Sequence, residues 1–65
     1  MKSLRVKKIG KRLASDGENV YDIFCNGGNS SYNFHYAEIG KEIDVMITSI
    51  VDDRFFSNYL LLYIE

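Results

Sequence analysis

Cys25 and His35 are the only thiol and the only imidazole in the chain, ten positions apart. They would make a nucleophile and its base if two strands of a hairpin set them side by side. No orienting carboxylate or oxyanion loop accompanies them, so the simpler expectation is a small packed thiol and an exposed imidazole. One cysteine excludes an internal disulfide, and one cysteine with one histidine cannot complete the four ligands of a structural zinc site. Gly27-Gly28 lacks the strand–loop–helix setting of a phosphate cradle and reads as a turn. Asp52-Asp53 reads as a solvated turn. No enzyme activity, metal or cofactor is expected.

Charge carries the binding chemistry. Residues 1–12 hold Lys2, Arg5, Lys7, Lys8, Lys11 and Arg12 with no acid, and the remaining residues hold two basic against nine acidic side chains. A net charge of −1 therefore hides +6 followed by −7. With Leu4 and Val6 inward, Arg5 and Lys7 point out, and Lys8, Lys11 and Arg12 continue along the strand end and first loop. That is a phosphate-tracking stripe, with binding that weakens steeply as salt rises. The bland alternative is a lysine-rich strand edge that blocks edge-to-edge pairing. The nine acids and a pI near 5.7 oppose free nucleic acid as the ligand. An acidic face of Asp22, Glu38, Glu42, Asp44, Asp52 and Asp53 could instead imitate a phosphate array or dock a charged protein. Phe55, Phe56 and Met46 are candidates for an exposed contact patch, with core or turn packing as the alternative.

The elements that must position these groups are strands. Leu4-Arg5-Val6-Lys7 alternates apolar and basic at period two, and residues 19–25 (Asn19 to Cys25) are of strand length and rich in β-branched and aromatic types. Tyr32-Asn33-Phe34-His35-Tyr36 alternates aromatic and polar, which predicts a third strand. Residues 42–49 place Ile43, Val45 and Ile47 on one face, and residues 59–64 form an apolar fifth strand after a turn at 51–58, with a helix as the alternative. Ser15-Asp16-Gly17-Glu18 and Asn26-Gly27-Gly28-Asn29 supply the residues that hairpin turns need. Residues 37–41 leave room for one helical turn at most. The ladder Tyr32, Phe34 and Tyr36 is either inward core or an exposed stacking platform for bases. In the first case Asn33 and His35 face outward.

Five short strands hide their apolar faces and open edges best as a barrel. The expected fold is all-β: one domain over residues 1–65, a small five-stranded antiparallel barrel of the OB-fold or SH3-like kind. No apolar run of about 18 residues predicts a membrane span, and no apolar stretch follows the basic start to make a signal peptide, so a cytoplasmic setting is expected. A mini-domain without metal or disulfide relies on dense packing or on a second copy, so a homo-oligomer is a further expectation.

Asn33-Phe34-His35-Tyr36-Ala37 followed by Gly40-Lys41-Glu42-Ile43 resembles the cold-shock and S1-type OB barrels over about a quarter of the chain. The resemblance implies that His35 and Tyr36 stack on bases. Asn33 stands where those families place an aromatic, and their glycine- and aromatic-rich second-strand motif is absent. The leading expectation is a non-enzymatic binding protein that inhibits a host nucleic-acid-processing protein. In size and type it is similar to phage and mobile-element accessory proteins. Its contact residues would be Asp22, Glu42, Asp44, Asp52, Asp53, Phe55 and Phe56. The alternative is a single-stranded nucleic-acid-binding domain using Arg5, Lys7, Lys8, Lys11, Arg12, Asn33, His35 and Tyr36.

Overall fold

In a computed structural model that describes residues 2–56 and 58–65, alternation of apolar and polar side chains builds five strands around one core. They are β1 (Lys2–Lys8), β2 (Leu13–Ser15), β3 (Val20–Cys25), β4 (Glu42–Asp52) and β5 (Leu60–Ile64), with one helix, α1 (Asn29–Tyr36), between β3 and β4. The strands close into a barrel in the order β1-β2-β3-β5-β4, with β4 paired back onto β1. All pairs are antiparallel except β3 with β5, which run parallel with Tyr21 opposite Leu60 and Cys25 opposite Ile64. The barrel is therefore mixed, because a chain that leaves β3 through a helix and returns by way of β4 brings β5 beside β3 in the same direction. A five-stranded closed barrel with this order is the connectivity of an OB-fold.

The helix is the main departure from the sequence expectation. Residues 32–36 are the last turns of α1, not a strand, and the plug lies at 29–36 rather than at 37–41. Ser30, Ser31 and Phe34 fall at helical spacing on the buried face, while Tyr32 and Tyr36 share the opposite, exposed face. Asn26-Gly27-Gly28-Asn29 is accordingly the entry to a helix rather than a hairpin turn. β2 is a three-residue strand that pairs Leu13 with Asp22. It follows a tight loop in which Ile9 and Gly10 both donate to the carbonyl of Leu13. The β2–β3 hairpin forms at the expected turn: Gly17 takes a φ of +98°, and the Asp16 carboxylate accepts the N–H groups of Glu18 and Asn19, both at 2.9 Å.

Val6, Tyr21, Ile23, Val45, Leu62 and Ile64 fill the barrel. Phe34 enters from α1 at 1% exposure and closes one end. The start of α1 is tied to strand ends by its serines. Ser30 Oγ accepts the N–H of Met46 at 2.8 Å. Ser31 Oγ accepts the N–H of Asn26 and donates to the carbonyl of Glu65. β4 irregularity at Ile47–Ser49 shifts its register on β5, and Thr48 there donates its hydroxyl to the Tyr63 carbonyl. Beyond the bulge β4 reaches Asp52, so the turn expected at 51–58 begins after that residue. Among the described residues no helix is long and apolar enough to cross a membrane.

Candidate functional site

The end of β1, the β1–β2 loop, the end of β3, the end of α1 and the start of β4 meet at one end of the barrel, as the pairs Lys8–Ala14 and Lys7–Glu42 require. There a cleft of about 340 Å³ opens between the β1–β2 loop, β3 and α1. Its walls carry Lys11 and Arg12 from the loop, Phe24 and Cys25 from β3 and His35 from α1. Ile23 and Phe34, both core residues, also line it. No acid is among the lining residues.

Local backbone bonding positions the cations. The carbonyl of Arg12 accepts the N–H of Ile23 at 2.8 Å, which extends the β2–β3 pairing by one step. The Arg12 guanidinium then lies 5.2 Å from the centroid of the Phe24 ring, a cation–π contact. Phe24 in turn stacks on Tyr63 of the parallel neighbour β5, with ring centroids 5.0 Å apart. Phe24 thus has contacts with both Arg12 and Tyr63, and of the three Arg12 and Phe24 line the cleft.

Of the residues expected to contact nucleic acid, the structure gathers Lys11, Arg12 and His35 at this cleft. The others go elsewhere. Arg5 makes a bidentate ion pair with Asp44 on adjacent β4, with Nε at 3.1 Å from Oδ1 and Nη2 at 3.2 Å from Oδ2. Lys7 is exposed and sits opposite Glu42 in the β1–β4 register. Lys8 does not belong to an outer stripe. It is 5% exposed, and its Nζ donates to the carbonyls of Phe34 at 2.9 Å, Ala37 at 2.9 Å and His35 at 3.3 Å. Its ammonium serves the carbonyl end of α1, where a cation is favoured. Asn33 and Tyr36 are exposed on α1, and Tyr36 packs on Tyr32 and on the edge of His35. Neither lines the cleft. The ladder Tyr32, Phe34 and Tyr36 is split by the helix, so only Phe34 is core.

The expected acidic contact face is scattered. Asp44 is engaged by Arg5, and Glu42 opposes Lys7. Asp22 and Asp53 are half-buried. Asp52 holds Arg54 bidentately, at 2.9 Å to Nε and 2.7 Å to Nη2. That hydrogen-bonded guanidinium lowers the Asp52 carboxyl to about 2 and raises the Arg54 pKa. Phe55 and Phe56 follow at the tip of the β4–β5 hairpin, 91% and 85% exposed, in edge-to-face contact at 4.9 Å.

Two further expectations meet the geometry here. Gly27-Gly28 does stand between a strand and a helix, but the helix entry is occupied, since Ser31 N–H donates to the Glu65 carbonyl. Cys25 and His35 share the cleft with no carboxylate on its walls, and among the described residues no three His, Cys, Asp or Glu side chains gather to hold a metal. Sequence reading missed Phe24 and Tyr63 as site groups. Outward positions on β3 were recognisable from its alternation, but the Tyr63 contact depends on a parallel pairing the sequence does not display. Compared with known proteins, the chain matches no family model, no curated protein and no solved structure.

Proposed function

We propose that the protein binds single-stranded nucleic acid at the cleft end of its barrel. The observation that carries this reading is the convergence of Lys11, Arg12 and His35, without an acid, on a cleft whose walls include the Phe24 ring. Cations track phosphates, and aromatic or guanidinium planes take bases without sequence preference. The two ion pairs among the described residues consume Arg5 and Arg54, so the loop cations remain for a ligand despite the net negative charge. A titration of a labelled single-stranded oligonucleotide tests this. Binding at ~50 mM salt that falls on raising salt to ~200 mM is expected from phosphate contacts. Absence of binding at the lower salt contradicts it.

A second reading is favoured by a separate observation, the Phe55–Phe56 pair at the hairpin tip. Two large apolar rings this exposed, beside an exposed Asp52–Arg54 ion pair, suit docking onto a protein partner such as a nucleic-acid-processing enzyme. Recovery of a specific protein from nuclease-treated lysate, lost on Phe55→Ser/Phe56→Ser, supports this reading. Equal recovery by the double variant contradicts it.

A further inference from the structure

We propose that the cleft is a one-nucleotide site. It takes the phosphate among Lys11, Arg12 and His35 and the base against the Phe24 ring. This rests on the nucleic-acid reading and narrows it from a groove along a strand to a pocket for one unit.

The volume, about 340 Å³, lies at the lower end of the range for small-molecule sites. Two of the lining residues, Ile23 and Phe34, are each 1% exposed and belong to the barrel core, so they close the floor of the cleft, and the half-buried Phe24 ring is the apolar group open to a ligand. A bare inorganic anion would satisfy the cations and leave the Phe24 ring uncovered. A ligand that joins an anion to a flat ring covers both. The polar side is also prepared: Arg12 is held by its backbone bond to Ile23 and by the Phe24 ring. Little ordering is then required when a phosphate arrives, and a guanidinium plane provides a stacking face as well as charge. An acidic peptide is disfavoured because its carboxylates bring no flat ring to cover Phe24.

Cys25 makes the site directly readable. It is the only cysteine in the chain, it is exposed, and it lines the cleft. A ligand seated there shields it from an alkylating reagent. The experiment measures the rate of Cys25 alkylation by iodoacetamide in the full chain, alone and with adenosine 5′-monophosphate, uridine 5′-monophosphate, inorganic phosphate or a single-stranded oligonucleotide. At about 10 mM mononucleotide the rate should fall about fivefold, as expected for a site of millimolar affinity. Inorganic phosphate at the same concentration should slow it less than twofold. Arg12→Ala and Lys11→Ala, checked for fold by circular dichroism, should each lose the mononucleotide's protection. The wild-type arms decide the matter even if a variant fails to fold. Equal slowing by phosphate and mononucleotide overturns the base-binding half of the proposal. Protection by the oligonucleotide but not by either mononucleotide overturns the one-nucleotide site while leaving strand binding standing. Protection by none of them overturns the site, and strand binding then stands or falls on its own titration.

Discussion

The Lys8 ammonium donates to the Phe34 carbonyl at 2.9 Å, across 26 positions of chain. It joins the end of β1 to the end of α1, with the carbonyls of His35 and Ala37 completing its shell and the Phe34 ring 5.0 Å away. Removing the ammonium takes a donor from the His35 and Ala37 carbonyls and leaves that of Phe34 with the Ala37 N–H alone, and a hydrogen bond to a charged group contributes about 1.5–3 kcal/mol. Lys8→Met should therefore lower stability by ~2–3 kcal/mol in urea denaturation. Lys7→Met, one position away and exposed, should change it by less than ~0.5 kcal/mol. Equal effects of the two substitutions would contradict the assigned role of Lys8.

Tyr21 donates its hydroxyl to Asp16 Oδ2 at 2.7 Å. The Asp16 carboxyl is lowered below its ordinary 3.8 first by the Asn19 N–H, then by this hydroxyl and the Glu18 N–H. Tyr21 is raised above 10.0, first by burial and then by its bond to Asp16. The signs follow by linkage. The Asp16 contribution is present above pH 3.8 and is lost as pH falls through its lower folded value. The Tyr21 contribution is present below pH 10.0 and is lost as pH rises through its higher folded value. Tyr21→Phe should cost ~0.5–1 kcal/mol at neutral pH and move the Asp16 titration upward, as read by carboxyl NMR. An unchanged Asp16 titration contradicts the link.

Gly28 is required by space rather than by φ, since its backbone is extended-like at φ −86°. A Cβ there would lie 2.7 Å from the backbone carbon of Glu65, and Glu65 is held by Ser31 on one side and Met46 on the other. Gly28→Ala should destabilise by ~1–3 kcal/mol through overpacking. Thermal unfolding indistinguishable from the wild type would show that the strand end gives way freely.

Much of the barrel was legible because its faces alternate: Leu4 and Val6 in β1, Tyr21 and Ile23 in β3, Val45 and Ile47 in β4 all point inward. Lys8 was legible by the same rule, since positions 4, 6 and 8 share a face. Its charge argues for solvent, and the carbonyls that receive it lie at the end of a helix where alternation predicts a strand. That helix was ambiguous for a physical reason. Over residues 32–36, periods of 2 and 3.6 both put Tyr32 and Tyr36 together; they differ over Phe34, which the helix moves to the opposite face, and over Asn33 and His35, which the helix separates. The buried row Ser30, Ser31 and Phe34 was the available signal. The opposed surfaces implied by +6 and −7 were not legible at all without pairing, because β4 lies beside β1 and sets Asp44 against Arg5.

Phe55 and Phe56 add almost nothing to the core at 91% and 85% exposure. Phe55→Ser/Phe56→Ser should leave the unfolding free energy in urea within ~0.5 kcal/mol of wild type. A larger loss would place these rings in the fold rather than at a docking tip.

On the nucleic-acid reading, the β1–β2 loop, and not β1, carries the phosphate contacts. The direct measurement is one oligonucleotide titration at ~50 mM salt with three proteins: wild type, Lys11→Glu/Arg12→Glu and Arg5→Glu/Lys7→Glu. The loop reversal should weaken binding by about a hundredfold or more and flatten the salt dependence by roughly 0.7 per lost phosphate contact. The strand reversal should weaken it by less than about tenfold. Equal losses, or a larger loss from the strand reversal, would contradict the account.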